Sequence, residues 1–206
     1  MDSSRASDHS SQFGPVPRSP ELMRPADTAL LVVDVQERLM AVQPEGPRIA
    51  WNARRLVDGA RILGVRAVAT EQYPEKLGPT IPQLAERIAA PIPGKMTFSC
   101  GACDAIFADW QERGIHRVLV CGIETHVCVQ QTVLDLLAAG YQVLVAADAV
   151  GARRAVDHEY ALRRMEASGA LLTTTEAALF EWCGVAGTEG FKQISALAKE
   201  EPPKLG

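Results

Sequence analysis

A cysteine lies where an apolar run ends and the chain turns sharply, and its thiol is the first candidate for chemistry. The run Val118–Cys121 predicts a strand, Gly122 predicts a tight turn, and the apolar periodicity that begins near Val127 predicts a helix. Unpaired N–H groups and a partial positive charge at a helix start stabilise a thiolate. Cys128 is therefore a candidate nucleophile. The alternative is a small buried core residue, which is the commoner role of a free cysteine.

Two charged residues lie in similarly apolar surroundings. Asp34 ends an apolar run that begins at Leu31, where a carboxylate is costly unless it is paired. It is either a general base that takes a thiol proton or the N-cap of a following helix. Lys95 is flanked by Gly94 and Met96. It is either an exposed loop lysine or a partly buried one that orients a carboxylate and favours a thiolate.

Short apolar runs alternate with helical patterns along most of the chain. Runs that are apolar on both faces predict strands at residues 28–34, 65–70, 116–121, 142–147 and 171–175, with a short strand or extended loop at 91–97. Helical periodicity predicts helices at residues 49–63, 84–89, 105–112, 127–139, 157–168 and 176–183. We therefore expect an α/β fold, a three-layer α/β/α sandwich with a mainly parallel, Rossmann-like sheet of about six strands. Ligands of such sheets bind at the carboxyl ends of strands, where Asp34, Thr70 and residues 122–128 converge.

Composition restricts the classes of function. The chain has 206 residues, of which 47% are hydrophobic, and a net charge of −4. These values fit one α/β domain and disfavour nucleic acid and anionic membranes as partners. No apolar run reaches the roughly 18 residues that span a bilayer, and the N-terminus has no apolar signal core. Five cysteines, an odd number, predict reduced thiols and a cytoplasmic location.

The two ends of the chain differ in composition from the middle. Residues 1–24 are rich in Ser, Pro, Arg and Asp, which predicts a disordered N-terminal tail. Residues 198–206 predict a second, shorter tail. One domain is expected between them, at residues 25–197.

The motifs around the three candidate residues resemble those of a known family. Asp34 in Val-Val-Asp-Val-Gln, Lys95 in Gly-Lys-Met-Thr-Phe-Ser and Cys128 in Gly-Ile-Glu-Thr-His-Val-Cys-Val-Gln-Gln-Thr look like the isochorismatase-like cysteine hydrolases. The resemblance covers about residues 26–183, and residues 70–80 further resemble the subgroup of isochorismatase domain-containing proteins. It implies an Asp–Lys–Cys triad that hydrolyses the C–N bond of a small amide, or a related acyl substrate, through a thioester.

The resemblance also implies an unusual backbone turn beside the thiol. It implies a cis peptide bond between Ile123 and Glu124, a form that is rare outside proline. The N–H groups of Glu124 and Cys128 would then point at one position and form an oxyanion hole. In the implied mechanism Asp34, helped by Lys95, takes the thiol proton and later protonates the leaving group, and water hydrolyses the thioester.

No metal or other cofactor is expected. Nicotinamidases of this superfamily carry a metal site of Asp and His soon after the second strand, where this chain reads Glu71-Gln-Tyr-Pro74. No histidine lies between His9 and His116. True isochorismatases act on an enol ether without a cysteine at this position, so Cys128 argues against that reaction too.

Further residues are candidates for the lining of a pocket for a small-molecule substrate: Gln36, Gln72, Tyr73 and Thr125. Residues 72 and 73 could equally form a turn. The side chain of Glu124 is another candidate or an exposed group. His126 would make a papain-like pair with Cys128 only if its ring turned toward the thiol, which the local turn geometry opposes.

Two other classes of function stay open. Cys100 and Cys103 form a CxxC sequence, which in a redox protein needs a helix start at the first cysteine and in a zinc site needs two further ligands. Ordinary thiols are the alternative. A catalytically idle family member that acts as a binding or scaffold protein is the other class. Family members often assemble, so we expect a homo-oligomer.

Overall fold

The computed structural model describes residues 16–89 and 91–204, and a parallel sheet forms its centre. The strands are β1 Thr28–Val33, β2 Arg66–Gln72, β3 Gly94–Lys95, β4 Arg117–Ile123, β5 Gln142–Gly151 and β6 Leu171–Thr173. They pair in the order β3-β2-β1-β4-β5-β6, and every pair is parallel. The predicted α/β fold with about six strands is confirmed.

Helices connect the strands, as parallel pairing requires. The long helices are α2 Gly46–Leu63, α5 Asp104–Glu112, α6 Gln130–Ala138, α7 Ala155–Ala167, α8 Thr175–Cys183 and α9 Glu189–Ala198. Single-turn helices lie in the loops at α1 Glu37–Met40, α3 Pro74–Leu77 and α4 Pro82–Ala85. A 3₁₀ turn spans Cys100–Ala102 and a π-helical turn spans Thr125–Val129.

Strand β1 separates two apolar cores because its side chains alternate between the faces of the sheet. Leu30 and Val32 belong to the core that contains residues of α2, α8 and α9. Ala29, Leu31 and Val33 belong to the core that contains residues of α5, α6 and α7. All six residues of β1 are buried. The three-layer sandwich thus follows from a strand that is apolar on both faces.

The strand order puts the carboxyl end of β1 at the point where the sheet changes direction. Successive crossovers lead from β1 to β2 on one side and from β4 to β5 on the other, so β1 and β4 are neighbours. Gly122 in β4 pairs with Val33 and has a φ of 120°. A Cβ atom at Gly122 would lie 2.0 Å from the carbonyl oxygen of Val33. Only glycine lets β4 approach β1 this closely.

Two regions differ from the expectation. Helix α9 was not predicted, and it forms because Ile194 and Leu197 are buried in the same core as α2. Residues 1–15 of the expected N-terminal tail lie outside the described residues. Residues 16–24 pack on the domain, where Met23 is fully buried and its N–H donates to Glu181 at 3.0 Å. In the expected C-terminal tail, Glu200 forms an ion pair with Arg54.

Candidate active site

Asp34 lies at the carboxyl end of β1 and is fully buried. Its φ of 51° is in the left-handed region, which is uncommon for a residue other than glycine. Thr70, which lies beside it on β2, holds Asp34 with two hydrogen bonds. The Asp34 N–H donates to the Thr70 carbonyl at 3.2 Å, and the Thr70 hydroxyl donates to Asp34 Oδ1 at 2.8 Å. The second carboxylate oxygen, Oδ2, is left for another partner.

That partner is Lys95 on β3. Its Nζ lies 2.7 Å from Asp34 Oδ2, and both side chains are almost completely buried, with 2% and 0% of their surface exposed. Nζ also donates to Gln72 Oε1 at 2.8 Å and to the carbonyl oxygens of Phe98 at 2.8 Å and Thr97 at 3.3 Å. A buried ammonium is tolerated because its donors are satisfied in this way.

Cys128 lies in the π-helical turn between β4 and α6. The Glu124 carbonyl accepts from the N–H groups of Val127 at 3.0 Å and Val129 at 3.2 Å, and this widened turn replaces the ordinary helix start that the sequence predicted. The thiol is 5% exposed, and its Sγ lies 4.0 Å from Gln72 Oε1.

The electrostatic setting of the thiol differs from the expectation. A helix start was expected to stabilise the thiolate, but burial raises the pKa of Cys128 far above its ordinary value. The negative charge of Asp34 raises this pKa further, and the positive charge of Lys95 only partly opposes the effect. The resting group is therefore a neutral thiol beside a buried ion pair.

The peptide bond between Ile123 and Glu124 is cis. The Glu124 side chain is 9% exposed, and its Oε1 accepts from Arg153 Nε at 2.9 Å, Arg153 N at 3.2 Å and Gln43 Nε2 at 3.2 Å. Burial raises the pKa of Glu124, but the hydrogen bonds from Arg153 and Gln43 outweigh it, so the net shift is downward. Glu124 is a carboxylate at neutral pH.

The predicted pocket residues fall into different environments. Gln72 bridges the site, since its Oε1 accepts from Lys95 and lies near the thiol, while its Nε2 donates to the Met96 carbonyl at 2.9 Å. Gln36 is fully buried, and its side-chain amide forms hydrogen bonds with backbone groups of Gln72 and Gly78. It therefore shapes the loop instead of facing a ligand.

The remaining two pocket candidates lie on opposite sides of the site. Tyr73 is 37% exposed and follows Gln72 with a φ of 38°. Thr125 is fully buried, and its Oγ1 lies 3.0 Å from Nδ1 of His158 in α7. His126 lies toward the same helix, with Nε2 4.0 Å from Asp157 Oδ2.

The CxxC cysteines are buried thiols. All five cysteines of the chain are free. Cys100 opens a 3₁₀ turn, and burial, followed by the charge of Asp34, raises its pKa to about 11. Burial also raises the pKa of Cys103. Reactive redox thiols need a lowered pKa, so this environment favours ordinary core cysteines.

Sequence reasoning placed Thr70 at this edge but missed three residues that support the site: Gln43, Arg153 and His158. Arg153 follows β5, whose carboxyl end meets this edge, so its position was a usable signal. Gln43 and His158 gave no such signal, since a loop and a helix bring them in.

The described ranges, 16–89 and 91–204, contain no group of three or more His, Cys, Asp or Glu side chains arranged to hold a metal ion. Among the same residues, no helix is both long and apolar enough to cross a bilayer.

Comparison with known proteins shows the family of the chain. The model of the isochorismatase domain matches residues 28–177. The chain belongs to the isochorismatase domain family. It is 40% identical to isochorismatase domain-containing protein 2 of Bos taurus over 183 residues, which is 88% of both chains. It spans 64% of isochorismatase domain-containing protein 1 of Salmo salar, at 37% identity over 88% of this chain.

Solved structures of the isochorismatase type share the fold. The MAR1 ribonuclease structure from Caenorhabditis elegans superposes with a TM-score of 0.82 and 37% identity, over 90% of this chain and 96% of that one. YcaC from Pseudomonas aeruginosa, solved with hexane-2,5-diol and covalent acrylamide, has a TM-score of 0.76 and 26% identity, over 88% of this chain and 96% of that one. Family membership supports hydrolase activity for this isochorismatase-domain protein.

Proposed function

We propose that this isochorismatase-domain protein is a metal-independent cysteine hydrolase that cleaves the C–N bond of a small amide or a related acyl compound. Asp34, Lys95 and Cys128 would form its catalytic triad. The observation that carries the proposal is the almost completely buried Lys95–Asp34 pair, 2.7 Å apart, beside a thiol. A buried ion pair seldom gains net stability over apolar packing, so its presence favours a chemical role.

The first step would be proton transfer coupled to attack. Because the Cys128 pKa is raised, the thiol keeps its proton at rest. As Sγ bonds to the substrate carbonyl carbon, Asp34 takes this proton, and the neighbouring Lys95 ammonium stabilises the negative charge that passes between the two groups.

The later steps would use the backbone of the turn. The N–H groups of Glu124 and Cys128 would hold the oxyanion of the tetrahedral intermediate. Asp34 would return its proton to the departing nitrogen, which leaves as ammonia or an amine. Water activated by Asp34 would then hydrolyse the thioester and restore the thiol.

A second candidate is a binding protein without turnover. The low exposure of Cys128, 5%, favours it, since a substrate must reach Sγ. Ribonuclease activity is named for the relative from Caenorhabditis elegans and is a property of that protein. For this chain, the net charge of −4 disfavours a nucleic-acid substrate.

The deciding experiment is the pH dependence of iodoacetamide labelling at each cysteine, read by mass spectrometry, in the wild type and Asp34→Asn. We expect slow labelling of Cys128 at neutral pH and faster labelling in Asp34→Asn, because the variant removes a charge that raises the thiol pKa. Hydrolysis of a panel of small amides should fall by roughly 10²–10⁴-fold in the same variant.

Cys183, which is partly exposed, is the internal control and should label equally in both proteins. Cys128→Ser is the blank for the amide panel. Equal Cys128 labelling curves in the two proteins would show that Asp34 does not act on the thiol. Absence of any hydrolysis above the blank would favour the binding protein.

A further inference from the structure

The side chain of Glu124, at the start of the π-helical turn, is held by several hydrogen bonds. Three donors converge on a single oxygen, Oε1: two from Arg153 after β5, and one from Gln43 in the loop before α2. These two segments flank the turn from different parts of the sequence. Together they fix the residue whose carbonyl begins the π-helical turn and whose preceding peptide bond is cis.

Gln43 makes this contact at the expense of its own hydrogen bonding. It is 6% exposed, and its Oε1 is a buried acceptor without a partner among the described residues. A buried acceptor that stays unpaired destabilises the fold. The orientation of Gln43 therefore serves Glu124 and not the packing of the loop.

Arg153 supplies charge as well as geometry. The Glu124 carboxylate belongs to the residue whose N–H would bind the oxyanion, and an uncompensated negative charge there would oppose a second one. The Arg153 guanidinium, paired with Glu124 at 2.9 Å, offsets this charge. Its side chain is 59% exposed, so the arginine contributes little to the apolar core.

We propose that Arg153 and Gln43 are positioning residues that hold the Glu124 turn in the geometry of an oxyanion hole, and that Arg153 also neutralises the carboxylate beside it. The role in oxyanion binding rests on the proposed function. The clamp on the turn itself is a separate property, which can be measured without a substrate.

Arg153→Gln, Arg153→Lys and Gln43→Met test the proposal, with Arg154→Gln as the matched control. Arg154 is the next residue, is exposed, and makes no ion pair or hydrogen bond through its side chain within the described ranges. Three quantities are measured: acylation by p-nitrophenyl acetate, iodoacetamide labelling of Cys128, and hydrogen exchange of the amides of residues 124–128 by mass spectrometry.

We expect Arg153→Gln to slow acylation about tenfold or more while alkylation of Cys128 changes less than about twofold, since alkylation forms no oxyanion. Arg153→Lys should recover most of the loss because it keeps the charge. Gln43→Met should slow acylation, because it removes the Nε2 donor to Glu124, while the loss of an unpaired buried acceptor limits any fall in Tm. Exchange at residues 124–128 should accelerate in Arg153→Gln and stay unchanged in Arg154→Gln.

Equal losses in acylation and alkylation, or no change in exchange at residues 124–128, would overturn the positioning role. If the wild type is not acylated at all, the proposed hydrolase function fails. The exchange data then decide the clamp alone, since they need no turnover.

Discussion

At the scale of single residues, the ammonium group of Lys95 connects the parts of the candidate site. It touches the Asp34 carboxylate, the Gln72 amide oxygen and two loop carbonyls in a place closed to water. One cation thus orders the end of β1, the end of β2 and the loop after β3. Its removal would leave both the carboxylate and the loop carbonyls unsatisfied.

Lys95→Met should lower the free energy of unfolding by about 3–5 kcal/mol, because Asp34 would remain buried without a positive partner. Urea unfolding at pH 7 measures this. Asp34→Asn added to Lys95→Met should recover part of the loss, since the uncompensated charge is gone. Lys192→Met, at a lysine 72% exposed, is the control and should change little. Additive effects of the two substitutions would contradict the coupling.

The residues that do the proposed chemistry were visible in the sequence, while the hydrogen bonds that each of them makes were not. Asp34 and Cys128 stood out because a charge and a thiol interrupt apolar patterns. The roles of Gln36 and Gln72 could not be separated, since both are glutamines after strands. Which one binds backbone and which one binds Lys95 depends on loop carbonyls whose directions no residue type specifies.

At the scale of elements, the contact between β1 and β4 depends on one glycine. Gly122→Ala should lower the free energy of unfolding by at least about 3 kcal/mol, since its Cβ would overlap the Val33 carbonyl and its φ is positive. Gly140→Ala is the matched control. It has a φ of 88° but open space around it, so only the backbone strain of about 1–2 kcal/mol applies. Equal losses would refute the packing argument.

The burial of His158 in α7 should make stability depend on pH. Burial, followed by the charge of Arg48, lowers the pKa of His158 in the folded protein below the ordinary 6.5. Below pH 6.5 the unfolded imidazole binds a proton that the folded one does not, so the free energy of unfolding falls with falling pH. His158→Gln should flatten this slope between pH 7.5 and 5.5 in urea unfolding. An unchanged slope would assign it to other groups.

Periodicity was sufficient for the regular elements and insufficient for the irregular ones. The alternation of doubly apolar runs with helical stripes predicted the layered fold because both cores take alternate residues of the same strands. The π-helical turn at 125–129 was read as the start of an ordinary helix, since one extra residue per turn leaves no signal in five residues. The exception is the regular helix α9, which was missed although Phe191, Ile194 and Leu197 recur at helical spacing and were a usable signal.

At the scale of the molecule, the edge of the sheet bears on assembly. Within residues 16–89 and 91–204, strand β6 pairs with β5 alone, and exposed apolar side chains lie on it and on α7: Val156, Tyr160, Leu171 and Leu172. An open edge beside apolar groups favours association. We propose that the homo-oligomer expected from the sequence uses this edge of the sheet.

Sedimentation velocity should give a mass that is a multiple of 22.2 kDa, and Tyr160→Glu with Leu171→Glu should reduce it. The reason is that two buried charges would oppose the contact. Val185→Glu, at a valine that is 66% exposed in the segment after α8, should not reduce the mass. A monomeric wild type would contradict the expected oligomer. The cytoplasmic location, which was expected from the five cysteines, stays a prediction.

Residues 16–24 show where composition misleads at this scale. Their polar character predicted a tail, but Arg18 and Met23 attach them to the carboxyl end of α8, and the Pro20 carbonyl accepts from Arg117 at the start of β4. A few anchors suffice to order a polar segment, and their partners are more than 90 residues away in sequence.

The same hydrogen bonds determine the orientation of the protein when it is immobilised through the N-terminal side of residue 16. They fix the entering chain at the amino ends of the strands, whereas Cys128 lies at the carboxyl ends. A linker joined to the chain before residue 16 would therefore leave the protein at the amino ends of the strands, opposite the thiol. On a sensor chip or bead coupled in this way, molecules would turn the thiol-bearing rim toward the solution, ready for screening against ligand libraries.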